Sequence, residues 1–186
     1  AGHTTSAAGI ASVGFQNTIG GGTDAFLVKF DGNGNRLWST YYGGAGNEIA
    51  GAPDRHENVA TDNLGNVYLC STTTSTLGIA SGGFQNTLAG TFDAFLVKFD
   101  ASGNRICATY YGGTTDDFGE GIDVDINGSI YVSGETNSTT GIASGGFQNT
   151  IGGSYDSYLV KFDNFSPLSV TTSQVNPLCN GQCTGT

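Results

Sequence analysis

The sequence is poor in charged residues, in proline and in histidine, and it has no methionine. Only 12% of its 186 residues are charged, and 16 Asp and Glu stand against 6 Lys and Arg, for a formal net charge of −10. An acidic surface repels phosphate backbones, so nucleic acid is not an expected partner. The chain has no apolar run of about 18 residues, so no transmembrane segment is predicted. The sequence does not open with basic residues followed by an apolar stretch, so no signal peptide is predicted.

Small polar residues, glycine and aromatics take the place of the missing charges. There are 31 Gly, 11% of the residues are aromatic, and 37% are apolar. This composition favours a sheet-and-turn protein with a buried core over a helical or disordered chain.

One unit of sequence is repeated along the chain. The segment GIASVGFQNT begins at Gly9, and GIASGGFQNT begins at Gly78 and at Gly141. The segment TDAFLVKFD from Thr23 recurs with small changes from Phe92, and again from Tyr155. The longer first period is explained by an insertion, APDRHE, at residues 52–57.

Each unit carries four strand signals, which we label A to D. Position A covers residues 59–62 and 122–125, B covers 66–71 and 129–134, C covers 24–31, 93–100 and 156–163, and D covers 36–42 and 105–111. The A–B and C–D links, such as DNLGN and DGNGN, combine Asp or Asn with Gly. These residues form tight hairpins in which one residue adopts a positive φ.

Strand C is apolar on both faces, which indicates a sheet that is covered on both sides. Phe26, Val28 and Phe30 alternate with Ala25 and Leu27. Four-stranded sheets stacked face to face satisfy this pattern, and that is the arrangement of a β-propeller. We therefore predict an all-β fold of four-stranded antiparallel β-propeller blades, forming an incomplete ring of two to three blades.

The motifs DNLGNVYL, GFQNT, DAFLVKFD and STYYGG occur here in fixed order, and the unit resembles the bacterial β-propeller repeat called SBBP. The resemblance covers residues 1–163 and implies a propeller domain at residues 1–165. Within that domain we expect a partial blade at 1–44, a full blade at 57–113 and a partial blade at 120–163.

The tail at residues 166–186 differs from the repeat and is predicted to be a linker or the first strand of an Ig-like module. From Leu168 it resembles the opening of a SprB-type repeat of Bacteroidetes surface adhesins. That resemblance implies an extracellular or cell-surface protein exported by type IX secretion. The stretch LSVTTS is alternatively expected to supply the missing strand D of the last blade.

The repeated GFQNT loop is the first candidate binding site. Its aromatic residues are expected to fill the gap between sheets, and this packing role is favoured over a series of identical sugar pockets. The candidate ligand contacts are Phe15, Gln16, Phe84, Gln85, Phe147 and Gln148.

Calcium is the only cofactor for which the sequence offers ligands. The stretch TTDDFGEGIDVD places Asp116, Asp117 and Glu120 together, as a calcium site or as a solvated loop between strands D and A. The loop at Asp31, Asn33 and Asn35 also has the oxygen spacing of a calcium loop. It lacks the required Gly and Glu further on, so a hairpin turn is favoured there.

The four cysteines do not form a metal set. Cys70 and Cys107 lie in strands B and D, which are not neighbours, and they align with residues of other types, so they are predicted to be packing residues. Cys179 and Cys183 are expected to pair across a turn in the tail.

No catalytic constellation repeats, so the chain is predicted not to be an enzyme. The leading hypothesis is a structural or adhesive module whose rim loops bind surface glycans or proteins, with other blades or subunits as partners. The alternatives are a carbohydrate-binding propeller and a fragment of a propeller hydrolase.

Overall fold

The computed structural model describes residues 1–48, 58–163 and 165, and these residues form ten β-strands. The strands are β1 (Gly2–Thr4), β2 (Asp24–Phe30), β3 (Arg36–Tyr42), β4 (Asn58–Thr61), β5 (Val67–Thr73), β6 (Asp93–Phe99), β7 (Arg105–Tyr111), β8 (Asp117–Val124), β9 (Ile130–Thr136) and β10 (Asp156–Phe162). Within this part of the chain, no helix is long and apolar enough to cross a membrane.

The strands form three antiparallel sheets that follow the chain order. The second sheet is complete, with the order β4-β5-β6-β7. The first sheet is β1-β2-β3 and the third is β8-β9-β10. The predicted strand order A-B-C-D is therefore confirmed, and the described residues contain one full blade between two partial ones.

The first strand is the end of a strand B, as the repeat predicts. Gly2 of β1 pairs with Phe26 of β2, and Gly134 of β9 pairs with Tyr158 of β10 in the same register. The partial first sheet thus keeps the geometry of the complete one.

Tight turns join the hairpins because each has an Asp at its start and a Gly three residues later. At the first C–D turn, the Asp31 amide donates to the Asn35 carbonyl at 2.9 Å and the Gly34 amide donates to the Asp31 carbonyl at 3.1 Å. Gly34 has a φ of 83° and its counterpart Gly103 has 88°. A residue with a Cβ rarely adopts this conformation, so the glycine sets the turn and, with it, the register of the hairpin.

The sheets stack through the alternating faces of strand C. Phe95, Val97 and Phe99 of β6 form a core with Leu27 and other residues of the first sheet. Ala94 and Leu96 of the same strand pack with residues of the third sheet. The all-β architecture of stacked, blade-like antiparallel sheets is thereby confirmed, and within the described residues the sheets do not close into a ring.

The acidic stretch between the second and third sheets is a strand in the structure, whereas one sequence interpretation made it a solvated loop. Strand β8 begins at Asp117 and pairs with β9 from there, with a bulge between Gly119 and Gly121. The Asp117 side chain is buried and accepts a hydrogen bond from Ser138 of the third sheet. Because Asp117 is held in this way, strand β8 begins there, before the start of the predicted strand A.

The insertion at 52–57, the tail at 166–186 and the predicted Cys179–Cys183 pair all lie outside the described residues.

Candidate functional site

The GFQNT loop is tied to the first residue of strand C by a hydrogen-bonded group that we call the Gln–Asp clamp. In the second blade, Gln85 Nε2 donates to Asp93 Oδ2 at 2.8 Å, and the amides of Ala89 and Gly90 donate to the same carboxylate at 2.9 and 3.0 Å. Gln85 Oε1 accepts from the amide of Gly112 at 3.0 Å. The glutamine therefore joins the loop, strand C and the end of strand D within one blade.

The clamp is present in all three blades. Gln16 Nε2 donates to Asp24 Oδ2 at 2.9 Å and Gln16 Oε1 accepts from the Gly43 amide at 3.1 Å. In the third blade, Gln148 Nε2 donates to Asp156 Oδ2 at 2.8 Å. The side-chain amides of Gln16 and Gln85 are therefore both used in hydrogen bonds within their blades.

A second repeated group, which we call the acid clasp, joins one blade to the next. After strand D of the first blade, Glu48 accepts from the Gly44 amide at 2.9 Å. Its other oxygen, Oε1, accepts from Thr73 Oγ1 at 2.6 Å and from Ser75 Oγ at 2.5 Å, both at the end of strand B in the second blade.

The same clasp recurs at the next junction. Asp117 accepts from the Gly113 amide at 2.6 Å, from Ser138 Oγ at 2.9 Å and from Thr136 Oγ1. In both junctions a carboxylate is therefore held by a Thr and a Ser of one blade and by an amide of the glycine pair that ends the preceding blade. Hydrogen bonds to a charged acceptor are among the stronger ones in proteins, so each clasp stabilises the contact between neighbouring blades.

Burial sets the electrostatics of these carboxylates. Removal from water raises the pKa of Glu48, against the lowering effect of its bonds to Ser75, Thr73 and Gly44. Burial likewise raises the pKa values of Asp93 and Asp117. These carboxylates are buried and accept several hydrogen bonds each, so the arrangement holds neighbouring strands together.

The glycine pair after strand D is required by the close approach of these carboxylates. A Cβ placed on Gly112 would lie 2.5 Å from Asp93 Oδ1, and one placed on Gly44 would lie 2.6 Å from the Cβ of Ser75. Neither position has room for a side chain, which explains the repeated YYGG motif.

The aromatic residues of the loops lie at the blade junctions. The ring of Phe15 lies 6.2 Å from that of Tyr42 and 6.5 Å from that of Phe99 in the next blade, and the guanidinium carbon of Arg105 lies 4.4 Å from its centroid. Phe84 packs on Tyr111 at 6.3 Å. Phe147, in the third blade, is fully exposed. Phe15 and Phe84 thus contact aromatic rings while 41% and 48% of their surface stays exposed.

The two candidate calcium sites have structural roles. Asp31 Oδ1 accepts from the amides of Asn33 and Asn35 at 2.9 and 2.8 Å, and these bonds, with one from the Asn35 side chain, lower the pKa of Asp31. Its carboxylate closes the hairpin turn.

The acidic stretch does not converge on a common point. Asp117 faces the acid clasp, whereas Glu120 is exposed and the Asp116 carbonyl accepts from the Asn137 amide. Among the residues that the structure describes, no group of three or more His, Cys, Asp or Glu is placed to hold a metal ion. Calcium binding at Asp116, Asp117 and Glu120 is not carried into the proposed function.

Cys70 and Cys107 are buried, and neither forms a disulfide with another described residue. Burial raises the pKa of Cys70 to about 12, so its thiol is protonated at neutral pH and is a poor nucleophile. Both side chains pack in the core between the second and third sheets, as expected for packing residues.

Sequence reasoning missed the junction acid Glu48 and the clamp acids Asp24, Asp93 and Asp156, and it named Asp117 only as a candidate calcium ligand. A signal was present: the Gln and the Asp of the clamp are separated by the same number of residues in all three units, and an acid follows each YYGG motif at one spacing. Such polar pairs at fixed spacing indicate a hydrogen bond inside the unit.

Stacked antiparallel sheets built on one repeated unit define the class as a repeat protein made of β-propeller blades. Within it, residues 108–141 match the family model described as the SBBP beta-propeller repeat. This match supports the resemblance drawn from the motifs, and the matched segment contains every member of the second acid clasp, from Gly113 to Ser138. No curated protein matches the chain.

Proposed function

We propose that the chain is a non-catalytic structural and adhesive module of a larger secreted or cell-surface protein, in which stacked blades present their rim loops for binding. The observation that carries the proposal is that the repeated polar residues are hydrogen-bonded to other residues of the blades, within a blade and between neighbouring blades. Gln85 bonds Asp93 and Gly112, and Asp117 bonds Thr136 and Ser138. Polar side chains that form hydrogen bonds within and between the blades favour a structural role for the repeat.

The absence of a catalytic role is inferred from the same residues. The buried carboxylates accept several hydrogen bonds each, and the Cys70 thiol is protonated in the core. These groups take part in packing and in internal hydrogen bonds, which favours the structural role over the hydrolase alternative.

The adhesive part of the proposal is supported by the turns between strands A and B. Each of these turns carries an exposed aliphatic side chain at its tip, Leu64 in the second blade and Ile126 in the third. The C–D turns DGNGN and DASGN carry no comparable side chain. The A–B turns thus form one edge of the stack with apolar contacts to offer to a partner.

The proposed cellular location follows from the motif resemblance, and the class of partners follows from the charge. We infer a location outside the cell or on the bacterial surface, with export by type IX secretion in a Bacteroidetes host. Other blades of the parent chain or other subunits are the proposed partners of the stack, and surface glycans or proteins those of the rim. The formal charge of −10 favours partners other than nucleic acid.

Substitution of Gln85 separates a stacking role from a sugar pocket. Gln85→Ala removes hydrogen bonds to the buried Asp93 and to Gly112, so we expect a loss of about 1–3 kcal/mol in the free energy of unfolding. The measurements are thermal unfolding and a glycan array probed with both proteins. The exposed Asn33→Ala variant is the control and should leave the unfolding midpoint almost unchanged.

A glycan signal that disappears with Gln85→Ala while the unfolding midpoint stays the same would contradict the structural role and favour the carbohydrate-binding alternative. A glycan signal that survives Gln85→Ala but is lost in a Leu64→Ser, Ile126→Ser variant would place adhesion on the A–B edge, as proposed.

A further inference from the structure

We propose that Asn127, in the A–B turn of the third blade, is a site of spontaneous covalent modification that converts it to aspartate and isoaspartate. The backbone nitrogen of Gly128 attacks Cγ of Asn127, and the side-chain nitrogen leaves as ammonia with the proton of the glycine amide. Water then opens the resulting succinimide ring at one of its two carbonyls. Water is the only co-reactant, and no electrons are transferred. The inference goes beyond the proposed function and does not depend on adhesion.

The residue that precedes the turn glycine decides whether this reaction is available. The four hairpin turns of the described residues share one frame, with an Asp three residues before a Gly of positive φ. The residue just before that Gly is, in chain order, Asn33, Leu64, Ser102 and Asn127. Attack on an asparagine side chain is least hindered when the next residue is glycine, because the attacking nitrogen then has no Cβ beside it. Two of the four turns therefore hold the reactive pair.

The A–B turn stays open to solvent in a blade that has neighbours on both sides. In the second blade, Leu64 holds the position of Asn127 and is 83% exposed. A Cβ placed on Gly65 would meet only the Cβ of Ala101, at an ordinary contact distance of 3.5 Å. Asn127 is exposed in the same way. Its accessibility therefore follows from the place of the turn within a blade, and water and the succinimide ring both have room there.

The C–D turn has a different environment. Gly103 is buried, and a Cβ placed on it would lie 2.8 Å from Cδ2 of Trp38 in the preceding blade. Trp38 Nε1 also donates to the Ala101 carbonyl of the same turn at 3.1 Å. A preceding blade thus closes the C–D turn. The pair Asn33 and Gly34 lies in a C–D turn, so the proposal is limited to Asn127.

Asp125 controls how often the attacking nitrogen is available. The Gly128 amide donates to the Asp125 carbonyl at 2.9 Å, and Asp125 Oδ1 accepts from the amides of Asn127 and Ser129, both at 2.9 Å. The glycine nitrogen can attack only after it leaves its hydrogen bond. The reaction therefore requires local opening of the turn, and these bonds slow it.

Both products change the A–B edge. The new carboxylate lies next to Ile126, whose side chain is 85% exposed. It also lies near Asp125, whose pKa is held below its ordinary value by hydrogen bonds from Ser129 and Asn127, so that this neighbour is ionised at neutral pH. Isoaspartate further adds a methylene group to the backbone of the turn. An aged protein thus presents a more acidic and less regular A–B turn than a fresh one.

Peptide mapping of the aged chain tests the proposal. The purified 186-residue protein is incubated at mildly alkaline pH, where more of the attacking amide is deprotonated, and is analysed by mass spectrometry with fragmentation that distinguishes isoaspartate from aspartate. We expect both products at residue 127. Asn63 is exposed in the other A–B turn but is followed by Leu64, and it should remain unmodified in the same sample.

Two variants separate the structure from the sequence pair. Leu64→Asn places an asparagine before Gly65 in the open A–B turn and should convert at a rate close to that of Asn127. Ser102→Asn places one before the buried Gly103, and it should convert on the order of tenfold more slowly, because the covered turn opens less often.

A third comparison tests the control by Asp125. Asp125→Ala should raise the rate at Asn127 on the order of tenfold, because it removes two hydrogen bonds to a charged acceptor that hold the turn closed. Asp62→Ala removes the same bonds from the turn of the second blade and should leave the rate at Asn127 unchanged.

The proposal is overturned if Asn127 stays intact in the folded protein while a free peptide of residues 120–132 is converted under the same conditions. Equal rates for the asparagines introduced at positions 64 and 102 would contradict the assignment of the site to the open A–B turn. An equal acceleration at Asn127 by Asp62→Ala and Asp125→Ala would show that unfolding of the whole protein, and not opening of one turn, controls the reaction.

Discussion

Val13 shows at the scale of a single residue how one unit departs from the repeat. It has a φ of 54°, in the left-handed region, and its side chain is exposed. The same position in the other loops is Gly82 with a φ of 65° and Gly145 with 68°. A β-branched residue in this conformation is strained, and exposure means that no packing offsets the strain.

We therefore expect Val13→Gly to stabilise the protein. Relief of backbone strain of about 1–3 kcal/mol outweighs the greater freedom that glycine adds to the unfolded chain, so a net gain of about 1 kcal/mol is expected in chemical denaturation. The reverse change, Gly145→Val, meets no atom within 4 Å and should destabilise by strain alone. Stabilisation by both substitutions would contradict this explanation.

Burial of Glu48 makes the free energy of unfolding depend on pH. Its pKa is raised by burial from the ordinary value of 4.5, so the folded protein keeps the proton at a pH where the unfolded chain has lost it. This contribution to stability is complete below pH 4.5 and is lost as the pH rises through the folded pKa.

Replacing Glu48 by Gln should remove that dependence. The unfolding midpoint of Glu48→Gln relative to the unmodified chain is expected to rise as the pH increases from about 4 to about 7, whatever constant cost the new amide adds. Midpoints measured over this range check it, with Glu120→Gln on the exposed side of β8 as the control. A pH-independent difference for both variants would show that burial does not shift the titration of Glu48.

At the scale of elements, the GFQNT loop depends on the blade that follows it. Phe15 contacts Tyr42 of its own blade and Phe99 and Arg105 of the next. Phe147 occupies the same place in the third loop, but its relative exposure is 106%, because no following blade covers it among the described residues. The phenylalanine of the GFQNT motif therefore packs against the next blade in the first loop and is exposed in the third.

The two phenylalanines make a matched pair of substitutions. Phe15→Ala should cost about 1–2 kcal/mol of unfolding free energy, since the ring is partly buried and loses its aromatic and cation contacts. Phe147→Ala should stay within about 0.5 kcal/mol of the unmodified chain. Urea denaturation of the two variants is the measurement. Equal losses would mean that Phe147 is covered in solution.

The hairpin turns are the elements that the sequence predicts best. Asp31 and Asp100 each accept the amides that follow them, and the glycines at 34 and 103 take a positive φ. These features depend only on residues a few positions apart, so local chemistry decides them before any sheet forms.

At the scale of the whole molecule, stability comes from junctions between sheets. Each junction combines an apolar core, a loop phenylalanine and an acid clasp, so the contacts join neighbouring blades only. The clasp places a charge where water is excluded and satisfies it with two hydroxyls and an amide of the glycine pair.

The sequence predicted less about the candidate site than about the strands. Strand D at Arg36–Tyr42 was predicted to the residue, and the A-B-C-D order followed from the hairpins. The loop residues Gln16 and Gln85 were candidates for ligand contacts, yet they bond inside the blade. Their partners lie on other strands, and the pattern of one segment does not show where its polar atoms point.

By itself, the sequence determined the repeat, the strand order within a blade, the turns, and the two apolar faces that require stacked sheets. Those properties arise from alternation along a strand and from the conformational range of Gly and Asp, which are local. Only the tertiary structure decided that Glu48 and Asp117 link the glycine pair of one blade to the hydroxyls of the next, that Asp117 starts a strand, and that Phe147 lies exposed. These outcomes depend on which surfaces meet, and that is a property of packed sheets rather than of any one segment.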